Sequence, residues 1–368
     1  MKLAHLSPLL HRPGPWASVY FDTTRTTEDG ARQQELRARG TRDRLAEDGA
    51  DPATREAVYR ALVDLEPRTP GRALFATGGE VVLDTPLGGP TPESLSYWTP
   101  LPRVTPLLDL ARPEPDCLVA FIDRRGADLE VRHADGTTEA AGTAVGEDWP
   151  LHRTSSAVDW SERHFQFAVE NTWDENAERT ADTIAECVDR TGAEVVVLVG
   201  DPRQRRAVHE RLPMAVREVA SEAEGGSRAP GSSSEGLQRE IGEARAEAAG
   251  ARADQALDAF LAGRGQAGQI ADGVPALVDA ARQHRIGTLL VRPDGPELER
   301  RVWVGEEPDD VTMRPEDTPD EGRLERDTAR ADDALLRAAA ATGADVVALP
   351  PTGDAPAGGL GALLRWSE

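Results

Sequence analysis

The stretch from Asp258 to Val291 contains a helical segment, a glycine-rich turn, a short amphipathic segment and an apolar run, in that order. Glycine tolerates backbone angles that other residues avoid, so the glycines in this stretch mark a turn between two regular elements. The amphipathic segment predicts a helix, and the run from Thr288 to Val291 predicts a buried strand. This order predicts one helix–strand unit of a layered α/β domain.

A second helix–strand unit is predicted closer to the C-terminus. A helix from Arg330 to Thr342 is followed by Gly343, which suits a helix C-cap, and by a strand from Asp345 to Leu349. The residues from Gly361 to Trp366 predict a last edge strand. Between the two units, an acidic and proline-rich insert from Glu306 to Glu325 is typical of a mobile loop.

The remainder of the chain predicts two further domains. Residues 1–112 form an α/β domain, which begins with a strand at Ala17 to Phe21 and continues with helices and a hairpin around Gly78 and Gly79. Its helices are predicted at Glu28 to Glu47 and Pro52 to Glu66, and the proline-rich residues Thr99 to Pro115 predict a linker. The third domain is expected to span residues 251–368.

Residues 113–250 predict a central domain in which a strand hairpin precedes a long helix and a buried strand. Arg124, Arg125 and Gly126 form the turn of the hairpin, and an irregular loop from Gly146 to Trp160 leads into the helix. A ribonuclease-H-like α/β layer has this order of elements. The elements are predicted at Cys117 to Asp123, Leu129 to His133, Ser161 to Thr191 and Glu194 to Gly200, with a glycine- and serine-rich loop at residues 224–236.

Charge limits the classes of partner. The chain of 368 residues has a formal net charge of −23, and a uniformly acidic surface repels the phosphates of nucleic acids. Any contact with RNA must therefore use a local basic patch, and DNA is not expected as a partner. Arg203, Arg205 and Arg206 follow the Val195 to Val199 strand and are candidates for phosphate contacts. The same arginines are equally compatible with the solvated face of a helix, paired with Glu210.

Cofactor and membrane signals are lacking in the sequence. Cys117 and Cys187 lie in apolar contexts and predict core residues, with neither a disulfide nor a metal site. The histidines show no paired spacing of zinc ligands, and no Walker A or dinucleotide-binding pattern occurs, so no cofactor is expected. No apolar run approaches the roughly 20 residues that span a bilayer, and the N-terminus is a poor signal peptide. A cytoplasmic protein is expected.

The third-domain residues resemble a known family. The C-terminal domains of Pelota and of archaeo-eukaryotic release factors contain a Phe-bearing helix, a glycine-rich segment, a helix and an apolar strand in this order. The corresponding residues here are Phe260, Gly263, Gly265, Gly268, Val274, Leu277, Ile286 and Thr288 to Val291. The chain is similar to bacterial members of this superfamily, and most similar to the actinobacterial branch related to Balon-type ribosome hibernation factors.

The resemblance implies a three-domain α/β architecture of the Pelota type. Its central domain would be ribonuclease-H-like, and its C-terminal domain would be a ribosomal-protein-like αβα layer. In the family, a Gly-Gly-Gln tripeptide directly precedes the long central helix and orients the water that attacks peptidyl-tRNA. Residues 149–158 occupy that position here and contain neither Gly-Gly nor Gln, whereas Gly263 to Gln266 lie elsewhere and predict a structural turn.

The same position implies a site for ribosomal RNA in the loop from Gly146 to Trp160. Exposed Arg and His side chains at its tip would stack on bases or bind phosphates, and Pro150 would stiffen the approach. The predicted RNA-binding residues of this loop are Trp149, Pro150, Leu151, His152, Arg153 and Thr154. No catalytic residue is assigned, because no carboxylate is evident that would orient His152 as a general base.

The resemblance implies a factor that occupies the ribosomal A site in hibernation or stress and that elongation factor Tu delivers. The missing Gly-Gly-Gln favours occupancy without hydrolysis. Two alternatives stay open at this point. One is a Vms1-like peptidyl-tRNA hydrolase that acts in ribosome rescue, and the other is a non-catalytic protein-binding adaptor, which the acidic charge would suit.

Overall fold

The structure is a computed structural model. It describes residues 3–10, 12–24, 30–65, 71–88, 91, 94–110, 115–133, 136–146, 160–228, 235–265, 268–314 and 327–366, and of these it describes all side chains except those of residues 3–5 and 160–172. Contacts divide the chain into two compact units. Unit 1 comprises Met1–Pro113 and Arg252–Glu368, and unit 2 comprises Glu114–Ala251.

The described residues contain helices and strands in alternation, which confirms the predicted α/β class. The helices are α1 Gly30–Glu47, α2 Pro52–Asp64, α3 Thr105–Leu110, α4 Trp160–Thr191, α5 Pro202–His209, α6 Met214–Arg217, α7 Glu235–Gly263, α8 Val274–Arg282 and α9 Ala331–Ala341. The strands are β1 Trp16–Asp22, β2 Gly71–Thr77, β3 Glu80–Leu87, β4 Leu95–Thr99, β5 Cys117–Asp123, β6 Gly126–Arg132, β7 Thr138–Val145, β8 Val195–Gly200, β9 Ala220–Glu222, β10 Ile270–Asp272, β11 Ile286–Val291, β12 Arg301–Val304, β13 Val311–Thr312, β14 Asp327–Arg330, β15 Asp345–Ala348 and β16 Leu360–Leu364.

The N-terminal sheet of unit 1 has the order β3-β2-β1-β4, and its strands are antiparallel. Strand β1 is buried on both faces because its side chains alternate between two cores. Val19 and Phe21 pack against α1 and α2, whereas Trp16 and Tyr20 belong to a second core that includes residues of α8 and α9. This strand therefore joins the two sequence segments of unit 1.

Helix α2 begins at a side-chain cap. The Asp51 carboxylate accepts hydrogen bonds from the backbone N–H groups of Ala53 and Thr54 at 3.0 and 2.9 Å, and hydrogen bonding to Thr54 lowers its pKa. We expect Asp51→Ala to reduce the free energy of unfolding by about 1 kcal/mol. Because the folded-state pKa is lowered, this loss should shrink as the pH falls toward the acid range in urea titrations. Asp64→Ala, at the other end of α2, is the control and should change stability by less than about 0.5 kcal/mol.

The C-terminal sheet of unit 1 has the order β10-β16-β11-β15. Strands β11 and β15 are parallel, as expected for two helix–strand units, and β16 runs antiparallel between β10 and β11. The prediction of an edge strand at residues 361–366 was therefore wrong. Leu360 and Ala362 are fully buried, and a strand in the interior of a sheet needs partners on both sides, which no local pattern identifies.

The acidic insert begins within regular structure. Strand β13 lies inside the range 306–325 and pairs with β12, which also pairs with β14 in a small antiparallel sheet. Val311 and Thr312 are buried, so the part of this range that is described up to residue 314 is ordered rather than a free loop. The prediction for residues 315–325 lies outside the described residues.

The proline-rich residues 99–115 were predicted as a linker, and for residues 99–110 this was wrong. Leu107 is buried in the core of unit 1, and Arg103 lies in a polar cluster within it. The Tyr20 hydroxyl donates to the Arg103 carbonyl at 2.6 Å. The Arg103 guanidinium contacts Asp332 at 2.7 Å and Asp333 at 3.1 Å, which ties this segment to the first turn of α9.

Unit 2 has a five-stranded sheet of order β7-β6-β5-β8-β9. Strands β5, β6 and β7 form an antiparallel meander, whereas β8 and β9 are parallel to β5 and to each other. Helix α4 covers one face and the first half of α7 covers the other. This arrangement confirms the predicted ribonuclease-H-like layer and adds β7 and β9, which the sequence did not indicate. Within the described residues, no helix combines the length and apolarity needed to cross a bilayer.

Candidate nucleic-acid interface

The predicted RNA-binding loop lies largely outside the described residues. Trp149, Pro150, Leu151, His152, Arg153 and Thr154 all fall in the range 147–159, which the structure does not describe. The two ends of the loop are described. Strand β7 ends at Val145, Gly146 follows, and α4 begins at Trp160. The base of the loop can therefore be described from the residues of unit 2 that surround these two ends.

The first end of the loop is fixed against the turn between β5 and β6. The Gly146 N–H donates to the Arg125 carbonyl at 2.6 Å, and the Asn176 side-chain amide donates to the Arg124 carbonyl at 3.1 Å. A Cβ atom at position 146 would lie 2.4 Å from the Asn176 side chain, so only glycine fits this approach without a shift. Three elements, the turn, β7 and α4, thus meet at the base of the loop.

Two arginines share one indole ring at this place. The guanidinium carbon of Arg124 lies 5.1 Å from the centre of the Trp173 ring, and that of Arg203 lies 5.5 Å from it. Both arginines are exposed, and Trp173 is half-buried on α4. Both distances are within the range of a cation–π interaction. Arg124 comes from the hairpin turn and Arg203 from the first turn of α5, whose N-terminus is capped by Asp201.

Neither Arg124 nor Arg203 has a carboxylate partner in the part of the chain that the structure describes. Their neighbours do have such partners. Arg228 contacts Asp123 at 2.9 Å and Asp128 at 2.8 Å, and hydrogen bonding to Asp128 raises the pKa of Arg228. Among the described residues, no carboxylate therefore neutralises the charges of Arg124 and Arg203, unlike that of Arg228. We call Arg124, Trp173 and Arg203 the arginine–tryptophan cluster.

The three arginines predicted after β8 are separated by the helix. Arg203 joins the arginine–tryptophan cluster. Arg206 is exposed and pairs with Glu210 at 3.1 Å, one turn further along α5. Arg205 is 6% exposed, and its Nε lies 3.6 Å from a carboxylate oxygen of Glu222. The helix geometry places residues 203 and 206 on the outer side and turns residue 205 toward the sheet.

Acid–base and metal chemistry have little support in the described residues. No group of three potential metal ligands lies together among them. The His133 Nδ1 atom lies 3.2 Å from an Asp116 carboxylate oxygen, and the ring also faces Glu139. Burial lowers the pKa of His133, but the two carboxylates outweigh burial, so this pKa is raised. Gly263 ends α7, where an added Cβ would lie 2.6 Å from Ile270, in agreement with the predicted structural turn.

Arg124 and Trp173 were not predicted as site residues. Arg124 was assigned only to a hairpin turn, and Trp173 fits the apolar periodicity of α4. The sequence feature that could have identified Arg124 as a site residue is the pair Arg124-Arg125 at the tip of a hairpin in an acidic chain. No local pattern indicates that this tip lies beside α5, because the contact depends on the parallel pairing of β5 with β8.

Comparison with known proteins relates this chain to one release-factor family and to two mycobacterial proteins. Residues 116–266 match the model of bacterial archaeo-eukaryotic release factor family 2. The uncharacterized protein Rv2629 of Mycobacterium tuberculosis strain H37Rv is 30% identical over 378 aligned positions, which cover 100% of this chain and 97% of that protein. The uncharacterized protein MT2704 of strain CDC 1551 matches with the same identity and coverage.

The solved structures that match this chain include archaeal Pelota and an archaeal termination factor. Archaeoglobus fulgidus Pelota is 15% identical with a TM-score of 0.37, covering 99% of this chain and 92% of that one. A ribosome-bound archaeal Pelota is 15% identical with a TM-score of 0.40, covering 99% and 93%. The archaeal termination factor aRF1 is 16% identical with a TM-score of 0.26, covering 99% and 97%.

Proposed function

Because the chain belongs to the bacterial archaeo-eukaryotic release factors, we propose that it binds the ribosome and contacts ribosomal RNA through unit 2. The observation that carries this proposal is the arginine–tryptophan cluster. In a chain of net charge −23, two exposed arginines without carboxylate partners among the described residues provide a local site for phosphate. Phosphate contacts of arginine supply much of the affinity of proteins for RNA.

The finer proposal concerns where and how the protein binds. The arginine–tryptophan cluster lies at the base of the loop at residues 147–159, and we infer that this loop reaches toward the peptidyl-transferase centre from the A site. The loop contains neither Gly-Gly nor Gln, which supports occupancy in hibernation or stress without hydrolysis. Delivery by elongation factor Tu belongs to the same proposal.

The test is sedimentation of the purified protein with vacant 70S ribosomes at two salt concentrations. We expect comigration that weakens with salt, because each phosphate contact releases counterions. Arg124→Ala combined with Arg203→Ala should weaken binding by about 100-fold or more, since each variant removes a hydrogen bond to a charged group that contributes roughly 1.5–3 kcal/mol. The salt dependence should also become less steep.

A matched control removes the same charge elsewhere. Arg60 and Arg239 are 72% and 70% exposed in their side chains, and each pairs with a glutamate four residues away in the sequence, Glu56 and Glu243 respectively. Arg60→Ala with Arg239→Ala should leave ribosome binding within about twofold of the wild type, because surface pairs of this kind contribute little. Equal binding by both double variants would contradict the role of the cluster.

A peptidyl-tRNA hydrolysis assay on the same fractions separates occupancy from rescue. No turnover above that of ribosomes alone is expected. Turnover that is lost in His152→Ala or Arg153→Ala would instead support a hydrolase that acts through the loop. Failure to comigrate, with and without elongation factor Tu, would overturn ribosome binding and favour the protein-binding adaptor.

A further inference from the structure

Trp173 is the residue that brings together the two arginines that have no carboxylate partner within the described ranges. It lies on α4, whereas Arg124 and Arg203 come from a hairpin turn and from α5. The two guanidinium groups cannot be farther apart than the sum of their distances to the common ring, 5.1 and 5.5 Å. Their positive charges repel, and the face of the indole compensates this repulsion only in part.

The acidic residue next to Trp173 does not form an ion pair with Arg124 or Arg203. Asp174 is engaged by Arg211 at 2.8 Å. Asn176, one turn further on, holds the Arg124 carbonyl rather than its guanidinium. The backbone under Arg124 is thus fixed while the charged end of its side chain rests on an aromatic ring. Such an arrangement leaves the guanidinium ready to exchange the ring for an anion of higher charge density.

We propose that the arginine–tryptophan cluster recognises an unpaired nucleotide of RNA. An arginine moves from the indole to the phosphate, and the ring face that it leaves stacks on the base. This inference rests on the proposed function and adds the class of RNA that is read. Single-stranded nucleic acids are bound in this way by aromatic side chains combined with arginines, because an unstacked base offers its whole face.

The geometry predicts selectivity for single strands over duplexes. In a duplex the bases are stacked on one another, so the indole gains no partner and only the phosphate contacts remain. The cluster also predicts little preference among the bases, since every base has a stacking face. Trp173 is then a binding residue, and not merely a part of the hydrophobic core of unit 2.

The experiment measures binding of the full chain to a short unstructured RNA and to a duplex of the same length at low salt. We expect tighter binding of the single strand. Trp173→Ala should weaken it about 5- to 100-fold, as expected for the loss of one stacking partner, while Trp173→Phe should restore most of the affinity. Duplex binding should change little in either variant. The difference between the fluorescence of the wild type and that of Trp173→Phe isolates the emission of Trp173. This difference should fall when the single strand binds, because the base stacks on the indole.

Two results would overturn the inference: single-strand binding that is unchanged in Trp173→Ala, or duplex binding as tight as that of the single strand. Circular dichroism and urea unfolding of Trp173→Ala guard against loss of the fold. If the alanine variant fails to fold, the fluorescence difference between the wild type and Trp173→Phe decides the test, because a base stacked on the indole must change its emission, and an unchanged difference would overturn the inference. Ribosome sedimentation of the wild type is scored separately. Suppose that the wild type sediments with ribosomes, but that Trp173→Ala binds the single-stranded RNA as tightly as Trp173→Phe does. The inference then fails, whereas the proposed function stands.

Discussion

Arg103→Ala is expected to reduce the stability of unit 1 by roughly 3–5 kcal/mol at pH 8, the cost of leaving buried charges without their partner. Asp332 is 0% exposed and Asp333 is 3% exposed, and one guanidinium nitrogen of Arg103 contacts both. Arg330 contacts Asp332 at 3.1 Å and is expected to keep this contact in the variant, whereas Asp333 loses the Arg103 guanidinium. Hydrogen exchange of peptides from β1 and α9, combined with urea unfolding, measures the loss within unit 1.

The control for this experiment is Arg60→Ala, which removes an exposed arginine paired with Glu56. Its effect should stay below about 0.5 kcal/mol. Asp333→Asn added to Arg103→Ala should recover part of the loss, because the buried charge is then gone. A loss in Arg103→Ala no larger than in Arg60→Ala would show that the polar cluster does not hold unit 1 together.

The stability of unit 1 is expected to fall as the pH rises from about 4 to 7, by roughly 2–4 kcal/mol. Burial, followed by the charge of Asp332, raises the pKa of Asp333 to about 7, against the opposing charge of Arg103. An unfolded aspartate titrates near pH 4, so the folded state binds the extra proton throughout this window. Unfolding then releases that proton, and raising the pH favours the unfolded state until both forms are ionised above about pH 7.

Other groups around Asp333 do not reproduce this behaviour. Burial raises the pKa of Tyr20 far above neutrality, and Arg330 and Arg103 remain charged. His133 also has a raised pKa and loses stabilising charge in the same direction, but it lies in unit 2. The measurement is therefore the urea midpoint of unit 1, followed by hydrogen exchange of its peptides, between pH 4 and 8 in the wild type and in Asp333→Asn. A slope that is equal in both proteins would rule out Asp333 as its source.

The fold was predictable where the signal is local. The hairpin at Gly78 and Gly79 and the helix–strand units depend on turn residues and periodicity within short windows, and the structure has them. The linker at residues 99–110 was mispredicted because its prolines indicate loops, whereas its burial depends on α9. Its partner Asp332 is 229 residues away from Arg103, and a distance of that kind leaves no mark in a short window of sequence.

The candidate site was predictable only in part for the same reason. Arg203 was identified because several arginines follow a strand, but its neighbour Arg124 stands 79 positions earlier, and only the β5–β8 pairing brings the two close to Trp173. Helical periodicity assigned Trp173 to the core, since the same spacing describes apolar packing and a half-exposed ring at the edge of that packing. The role of the loop at residues 147–159 stays a prediction.

The discontinuous make-up of unit 1 has a consequence for synthesis on the ribosome. Unit 2 is one continuous segment and has all of its residues once Ala251 has emerged. The face of β1 with Trp16 and Tyr20 cannot complete its core until α9 has been synthesised. Likewise, Arg103 cannot contact Asp332 until the 229 residues that separate them have been added. At translation rates of about 5–20 residues per second, this interval is roughly 10–50 seconds. During that time the nascent N-terminal segment presents an apolar sheet face, and it is the stage at which the growing chain most needs protection from aggregation.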